Sequence, residues 1–146
     1  MFLLDTNVVS ELRKSGSSKI NPQVEQWSRS TPGILTFFSA ITIFELERGV
    51  LLLERRDSKQ GSILRQWLNN YVLINYALIN YAERILAFDS DIAQRCAALH
   101  VPNPISDYDA MIAATALEHN LTIVTRNTKD FEKTGVKLLN SGNASL

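Results

Sequence analysis

Short apolar runs alternate with longer amphipathic segments along this chain, and the two periodicities predict different elements. Five apolar runs predict strands, at residues 2–4, 34–38, 85–88, 121–125 and 136–139. Segments with apolar residues three and four positions apart predict helices, around Val24 and Trp27 and over residues 40–54, 63–71, 90–99 and 107–118. Strands that alternate with helices predict an α/β protein with a parallel sheet covered on both faces.

Turn-forming residues separate these elements. Residues 15–18, followed by Asn21-Pro22, predict a polar loop, and Pro102 with Pro104 predicts a rigid connector. Residues 57–61 interrupt the helical pattern, so the helices on either side are expected to pair as a hairpin. Residues 73–82 contain LINYA twice in tandem, which we interpret as a local duplication because the unit is too short for a solenoid repeat.

Four acidic residues stand on segments that such a fold brings together. Asp5 ends the first predicted strand, Glu45 lies in the helix after the second, Asp109 begins the last long helix, and Asp130 follows the next strand. The carboxyl ends of parallel strands share one edge of the sheet, where α/β proteins place their sites. Carboxylate oxygens suit Mg²⁺ and Mn²⁺, which keep coordination positions for water and a substrate phosphate. The placement predicts a metal-dependent phosphodiesterase.

The acids on the first half of the chain also have purely structural interpretations. Asp5 can cap the next helix or shape a turn together with Thr6 and Asn7, because Asp, Thr and Asn all do so. Glu45 can be a solvated surface residue. Glu47 is a rival for the site, since its long stem can extend from a half-buried position. The sequence leaves these alternatives open.

The acids on the second half carry equivalent alternatives. Residues 106–109 approximate a capping box, which satisfies free backbone N–H groups at a helix start. Asp109 nevertheless heads the inward face of its helix, where an unpaired carboxylate is costly. Asp107 lies off that face and is interpreted as a supporting or surface acid. Asp130 and Asn127 can simply shape a loop.

Composition limits the domain organisation and the partners. With 146 residues, 45% of them hydrophobic, the chain is expected to form a single domain over residues 1–146. Basic and acidic residues balance at 15 each, so nucleic acid can bind only through a local patch. The sequence has neither a leader pattern nor an apolar run of the roughly 18 residues that a membrane span needs, so we expect a cytoplasmic protein. Cys96, without a partner for a disulfide, is expected in the core.

Other chemistries find no support in the sequence. Two histidines and one cysteine give no zinc-finger spacing and no H-E-x-x-H motif, and His119 is expected to complement a helix C-terminus. The sequence contains no G-x-x-x-x-G-K-[ST], no G-x-G-x-x-G after the first strand and no G-x-S-x-G elbow. Phosphate binding is therefore expected through a metal, with metal-activated water as the nucleophile.

The chain resembles the PIN-domain ribonucleases, specifically the VapC-like toxins of bacterial toxin–antitoxin systems and their FitB-like branch. The resemblance is carried, in the family's order and approximate spacing, by LLDTNVVSEL, SAITIFELERGV, DAMIAATALEHNLTIVTRN and KDF. It covers nearly the whole chain and implies a three-layer α/β/α sandwich with a central, mostly parallel sheet. It also implies a metal-dependent endoribonuclease.

The resemblance assigns roles to particular residues. It implies that Asp5, Glu45 and Asp109 form a site for Mg²⁺ or Mn²⁺ and that the Thr125 hydroxyl supports them. Thr6, Asn7 and Asn127 are further candidates for supporting residues. We hypothesise that Asp5 and Asp109 anchor the metal while Glu45 binds it or orients the attacking water. Some relatives carry an aspartate directly after the T-R pair. This chain has Asn127 there, so Asp130 or a water would complete the cluster.

The resemblance also implies an RNA substrate, a cognate antitoxin, a homodimer, a toxin–antitoxin hetero-oligomer, and operator DNA reached only through the antitoxin. Candidate RNA-phosphate contacts are Arg126 and Arg48, with the basic residues Arg55, Arg56, Lys59 and Arg65, although such charges often form only a solvated helix face. The hairpin over residues 48–71 is the candidate antitoxin surface.

Two other functions are weighed against the toxin nuclease. One is a PIN-like binding or regulatory subunit with little or no turnover, which acts in a complex with its antitoxin and which Asn127 keeps open. The other is a receiver-like signalling domain that accepts a phosphoryl group. It fits poorly, because that chemistry needs a Lys on a later strand, where this chain has Thr125-Arg126.

Overall fold

The computed structural model of the protein describes residues 1–78 and 84–141. Its central sheet has the strand order β3-β2-β1-β4-β5, and all four pairings are parallel. The strands are β1 (Phe2–Leu4), β2 (Thr36–Ser39), β3 (Ile85–Leu86), β4 (Thr122–Thr125) and β5 (Leu138–Asn140). The α-helices are α1 (Thr6–Leu12), α2 (Pro22–Ser30), α3 (Ala40–Arg56), α4 (Ser58–Trp67), α5 (Ser90–Leu99) and α6 (Asp107–Glu118).

Side-chain alternation along the strands divides the core between the two faces of the sheet. Leu4 and Val124 pack on one face with apolar side chains of α1 to α4. Leu3 and Ile123 point to the other face, where Ile112 of α6 and other apolar residues cover them. Because successive strand residues face opposite ways, three-residue strands are long enough to contact both layers. The expected three-layer α/β/α sandwich is confirmed.

Local sequence explains where several helices begin. Asn21 caps α2 through hydrogen bonds from the N–H groups of Gln23 and Val24, and Pro22 occupies the first helical position. Ser39 accepts from the N–H of Ile41 at the start of α3, as Asp89 does for α5. These side chains satisfy N–H groups that have no partner within the helix.

Several predicted boundaries are wrong by a few residues. Only Asp57 separates α3 from α4. Its side chain caps α4 by accepting a hydrogen bond from the N–H of Gln60 at 3.1 Å, which lets the new helix begin at once. The interruption predicted over residues 57–61 is therefore a cap followed by helix. α4 ends at Trp67, and the chain continues directly into a π-helical segment, Leu68–Leu78.

The strand boundaries also shift. Gly33–Leu35 forms a 3₁₀ turn before β2 rather than the start of the strand predicted at 34–38. β3 has two residues where four were predicted at 85–88, and β5 begins two residues later than the run at 136–139 predicted. The second copy of the LINYA duplication lies mostly outside the described residues.

Two further expectations concern the core and membranes. Cys96 is buried, as predicted, and burial raises the pKa of its thiol. Within residues 1–78 and 84–141, no helix is long and apolar enough to cross a membrane.

Candidate metal centre

The candidate site lies at the point where the order of strands changes sides: β2 and β3 are added on one side of β1, and β4 and β5 on the other. β1 is central, β2 lies on one side of it and β4 on the other, so a crevice opens between the carboxyl ends of β1 and β4. Such switch points are where open α/β sheets bind ligands. Asp5 directly follows β1, and Thr125 is the last residue of β4.

The Asp5 carboxylate is buried and fixed by two hydrogen bonds. Oδ2 accepts from the Thr125 hydroxyl at 2.8 Å, and Oδ1 accepts from the backbone N–H of Thr6 at 2.8 Å. Asp5 is also the N-cap of α1, so its capping interpretation and its site placement hold together. Thr125 in turn accepts from the Asn127 N–H at 3.0 Å and from Asn7 Nδ2 at 3.4 Å.

Glu45 reaches the same crevice from α3. Its Oε1 accepts a hydrogen bond from the Thr6 hydroxyl at 2.8 Å, and that hydroxyl lies 3.1 Å from the Thr42 hydroxyl. Glu47, the rival acid, turns the other way and forms an ion pair with Arg65 of α4 at 2.5 Å. Tertiary packing therefore selects Glu45, because two residues along a helix correspond to roughly 200° of rotation.

Asp109 approaches from the start of α6 and does not complete a capping box. Ser106 is the N-cap of this helix, but its side chain makes no capping hydrogen bond. The Asp109 carboxylate is half-buried and accepts no hydrogen bond from the described residues. Asp107 is exposed and pairs with His100 Nε2 at 3.0 Å, in agreement with its interpretation as a surface or supporting acid. His119 caps the other end of α6, as expected.

The four acids influence one another electrostatically. Burial, then repulsion from Asp130, Asp5 and Glu45, raises the pKa of Asp109 to about 6. Burial also raises the pKa of Asp5. The hydrogen bonds from Thr125 and Thr6 lower this pKa, whereas the negative charges of Glu45 and Asp130 raise it further. Carboxylates that repel one another in this way are stabilised when a cation sits between them.

The donor chemistry of these side chains fits a hard divalent cation. All the acids offer oxygen ligands, and the hydroxyl groups around them orient Asp5 and Glu45. Within residues 1–78 and 84–141, no group of three or more His, Cys, Asp or Glu side chains stands close enough together to hold a metal ion. Mg²⁺ does not need such a group, because it keeps several waters and is usually bound through one or two carboxylates. The arrangement fits Mg²⁺ or Mn²⁺ and does not fit a closed structural site.

Arg126, a candidate RNA contact, is engaged with the protein. Its guanidinium lies 3.3 Å from the buried carboxylate of Glu11, and its backbone N–H donates to Asn7 Oδ1 at 3.3 Å. Glu11 also accepts from Lys14 and from the N–H of Asn21. Burial acts to raise the pKa of Glu11, but these contacts outweigh it and lower the pKa. Glu11 thereby ties the loop after β4 to α1.

The other basic residues proposed to contact RNA differ in how far their side chains are already engaged by the protein. Arg48 lies beside the paired rings of Phe44 and Tyr108, whose centroids are 5.9 Å apart. Its carbon Cζ is 5.1 and 5.2 Å from the two centroids, and it donates to the Tyr108 hydroxyl at 2.7 Å. Arg65 is bound by Glu47 and Glu54 and joins α3 to α4. Arg55, Arg56 and Lys59 are exposed.

Sequence reasoning missed two features around the site. Glu11 was not singled out, although an acid among apolar residues of a short segment is a signal for a buried pair. The Phe44–Arg48–Tyr108 cluster joins α3 to α6, and only the i, i+4 spacing of Phe44 and Arg48 was visible in the sequence. Tyr108 comes from another element, so its part in the cluster had no local signal.

A parallel sheet with carboxylates at its switch point defines a class of fold, and comparison with known proteins identifies the family. The PIN domain profile matches residues 2–137, and the chain belongs to the PIN-domain family. It is similar to Toxin FitB of Neisseria gonorrhoeae, at 36% identity over 145 residues that cover 96% of this chain and 97% of FitB. It is also similar to VapC ribonuclease Y4jK of Sinorhizobium fredii, at 32% identity over 145 residues and 96% of each chain.

The structural comparison agrees. The fold is similar to that of a chain in the structure of FitAB bound to an IR36 DNA fragment, with a TM-score of 0.84 and 32% sequence identity. The match covers 100% of this chain and 99% of the chain in that structure. Within the PIN-domain family, the chain therefore groups with the VapC and FitB toxins of toxin–antitoxin systems. The family that the sequence motifs indicated is confirmed.

Proposed function

We propose that the protein is the toxin of a toxin–antitoxin pair and acts as an Mg²⁺- or Mn²⁺-dependent endoribonuclease. The observation that carries the proposal is the convergence of Asp5, Glu45, Asp109 and Asp130 at the switch point, where burial, together with the neighbouring negative charges, raises the pKa values of Asp5 and Asp109. A relative that is named a ribonuclease supports RNA as the substrate. A divalent cation held by these acids would attract the negatively charged phosphodiester.

The proposed roles follow from the contacts. Asp5 and Asp109 would hold the metal, because Asp5 is fixed in one orientation and Asp109 has no other partner among the described residues. Thr6 occupies Oε1 of Glu45, so Oε2 is the atom that orients the attacking water or takes its proton. Asp130, which is exposed, or a water would complete the cluster. A bound metal would lower the pKa of the water and neutralise charge on the phosphate during in-line displacement.

Cleavage of a mixed tRNA and rRNA pool by the purified, antitoxin-free protein tests the proposal. With Mg²⁺ or Mn²⁺ we expect discrete products, which disappear in EDTA and fall at least about 100-fold in Asp5→Asn. Asp107→Asn is the matched control, since it removes an acid from the start of α6 outside the cluster. Products that persist unchanged in Asp5→Asn would refute the site assignment.

Metal binding is tested separately by thermal unfolding with and without Mg²⁺ or Mn²⁺. Because an ion that binds only the folded state stabilises it, the unfolding temperature of the wild type should rise with metal concentration. Asp5→Asn and Asp109→Asn should show a smaller rise, whereas Asp107→Asn should match the wild type. Equal shifts in all four proteins would place the ion elsewhere.

A second candidate function is a binding or regulatory subunit with little turnover. Asn127 favours it, since an amide replaces the carboxylate that some relatives carry after the T-R pair and weakens the attraction for a cation. A folded, metal-binding protein that cleaves no RNA would favour this function. Asn127→Asp should then raise metal affinity, and the appearance of cleavage in that variant would explain the difference.

We further propose that the cognate antitoxin occupies a groove between α1, α3 and α4. The groove has a volume of about 340 Å³ and combines polar groups of Thr6 and Glu45 with apolar side chains such as Leu53, Leu64 and Trp67. An apolar segment that carries a basic residue complements it, because the base would meet Glu45. Part of the hairpin surface that was expected over residues 48–71 lines this groove, namely residues 48–50, Leu53, Leu64 and Trp67.

Co-purification with the cognate antitoxin tests the groove. Leu64→Arg should abolish the complex, whereas Ile63→Arg, an exposed neighbour on α4 outside the groove, should retain it. The homodimer and the hetero-oligomer are proposals that light scattering can test. Operator DNA is expected to bind the complex and not the toxin alone, which a gel-shift assay with each component would distinguish.

A further inference from the structure

A second cavity opens next to the candidate metal centre. It has a volume of about 310 Å³ and lies between the connector before α6 and the 3₁₀ helix Thr128–Thr134. Two of its lining residues, Asp109 and Asp130, also belong to the acidic cluster. The two cavities therefore meet the acids from different sides, with the antitoxin groove on the side of Glu45.

The walls of this cavity carry polar groups without protein partners. Lys129 and Lys133 line it, and neither forms a salt bridge or hydrogen bond within the described residues. Ser106, also in the wall, makes no capping bond with its hydroxyl. Arg126, a few residues earlier, is paired with Glu11, so the absence of a partner is not general for cations near the site.

The distribution of charge fits one ligand chemistry. Lys129 and Lys133 of the 3₁₀ helix attract a phosphate, whereas Asp130 on the same helix and Asp109 on the α6 wall repel it unless a divalent cation lies between them and the phosphate. A nucleotide whose own phosphate meets the lysines would thus sit beside the phosphodiester at the metal. Ile105 adds an apolar surface against which a base can pack, and the volume matches the small end of ligand pockets, roughly 300 Å³.

We propose that this cavity is a nucleotide subsite of the RNA substrate, in which Lys129 and Lys133 bind a backbone phosphate next to the scissile one and Ile105 supports its base. The proposal rests on the proposed nuclease function and adds the residues that place the strand. Single-stranded RNA suits the cavity, because an unstacked base is free to enter it. An acidic segment of a protein partner is the competing occupant.

Kinetics of a short single-stranded RNA with Mg²⁺ test the positioning role. The double variant Lys129→Ala/Lys133→Ala should raise KM roughly tenfold or more while kcat changes little, since the charges bind substrate and do not take part in the chemistry. Lys129→Arg/Lys133→Arg should restore much of the affinity. Lys137→Ala is the matched control, because this exposed lysine lies outside the cavity. A KM in the double alanine variant equal to that of Lys137→Ala would overturn the proposal.

Binding without turnover separates this proposal from the nuclease itself. Fluorescence anisotropy of the same RNA in EDTA should show weaker binding by the double alanine variant, with a salt slope lower by about 0.7 per lost phosphate contact. If the wild type cleaves no RNA but lysine-dependent binding remains, the nuclease proposal fails and the subsite stands. If cleavage occurs with lysine-independent binding, only the subsite fails.

The base and the competing occupant have their own readouts. Replacing one nucleotide at a time by an abasic unit should reveal a single position next to the cleavage point that raises KM, and Ile105→Ala should reduce that effect. Loss of antitoxin binding in Lys129→Glu/Lys133→Glu, with RNA binding unchanged in the double alanine variant, would assign the cavity to the protein partner and overturn the proposal.

Discussion

At the scale of single residues, the centre is built from acids whose surroundings differ. Asp5 is buried but receives two hydrogen bonds, whereas Asp109 is half-buried and receives none from the described residues. Burial and the neighbouring acids raise the pKa of both carboxyls, but only at Asp5 do hydrogen bonds oppose that rise. Polar groups kept without partners usually serve a ligand, because folding alone favours their removal.

Asp109→Asn should stabilise the metal-free protein at neutral pH. The pKa of Asp109 is raised from its usual 3.8 to about 6 in the folded state, so its protonated form is favoured on folding. The stability that protonated Asp109 contributes to the folded protein is fully present below about pH 3.8 and is lost as the pH rises through about 6. Asparagine mimics the neutral acid. The free energy of unfolding of Asp109→Asn should therefore exceed that of the wild type by almost nothing at pH 4 and by about 1 kcal/mol at pH 7.5, after allowance for solvent screening.

Urea unfolding in EDTA at several pH values measures this difference. Asp107→Asn serves as the control, since Asp107 is exposed and paired with His100. It should show no comparable gain. A constant difference between Asp109→Asn and the wild type from pH 4 to pH 7.5 would contradict the electrostatic explanation.

Thr125→Val should shift the pH dependence of cleavage. The Thr125 hydroxyl donates to Asp5 and lowers the pKa of that carboxyl, so its removal raises the pKa further. Since the proposed mechanism needs ionised Asp5, the acid limb of the pH–rate profile should move to higher pH, and activity should fall about tenfold to 100-fold. Thr125→Ser keeps the hydroxyl and should retain the wild-type profile. Identical profiles for all three proteins would exclude a positioning role.

At the scale of elements, the α3–α4 hairpin presents Glu45 and forms one wall of the groove. One residue, Asp57, separates the two helices, and Arg65 bridges Glu47 and Glu54 across them. Gly61 allows the close approach, because a Cβ added there would overlap the backbone of Glu54. The hairpin thus depends on a small residue that sequence periodicity had assigned to an interruption.

Gly61→Ala should destabilise the protein by about 1–3 kcal/mol, since the new methyl group must displace the backbone of α3. Gly49→Ala is the matched control within the same hairpin. An added Cβ there meets no atom within 4 Å, so the substitution should stabilise the helix by up to about 1 kcal/mol. Chemical denaturation of both variants measures the two effects. Equal effects would mean that the helices separate to accommodate the methyl group added at Gly61 without any cost in stability.

At the scale of the whole molecule, a neutral chain carries separated patches of charge. The formal net charge is zero, and the pI is about 6.7. The acids gather at the carboxyl edge of the sheet, and Lys129 and Lys133 line the cavity beside them. RNA is therefore expected to bind by local contacts and not through a general positive field.

The free protein should be least soluble near pH 6.7. Repulsion between molecules is smallest at zero net charge, and exposed apolar side chains of the hairpin, Phe44, Leu51, Leu52 and Ile63, can then associate. Turbidity measured from pH 5 to pH 9 at constant ionic strength checks this expectation. Leu51→Lys, which adds a charge to an exposed position, should move the solubility minimum to higher pH and make it shallower. A minimum far from pH 6.7 would show that patch interactions dominate.

Much of this architecture was predictable from the sequence. Apolar runs and helical periodicity predicted the strands, most of the helices and the placement of Asp5 and Thr125 at the strand ends. The motifs indicated the PIN-domain family, which the comparisons confirmed. These features depend on residues close together along the chain, so local periodicity and caps are enough to specify them. The single-domain assignment over residues 1–146 stays a prediction.

The tertiary structure decided what the sequence left open. It selected Glu45 over Glu47, excluded the capping box as the alternative explanation of Asp109, paired Arg126 with Glu11, and placed Lys129 and Lys133 in a cavity with Asp109. Each of these outcomes depends on helix rotation or on a partner from another element. Sequence by itself determined which elements form and which acids stand at their ends, whereas packing decided which of those acids meet, because contacts between distant residues have no periodic signal along the chain.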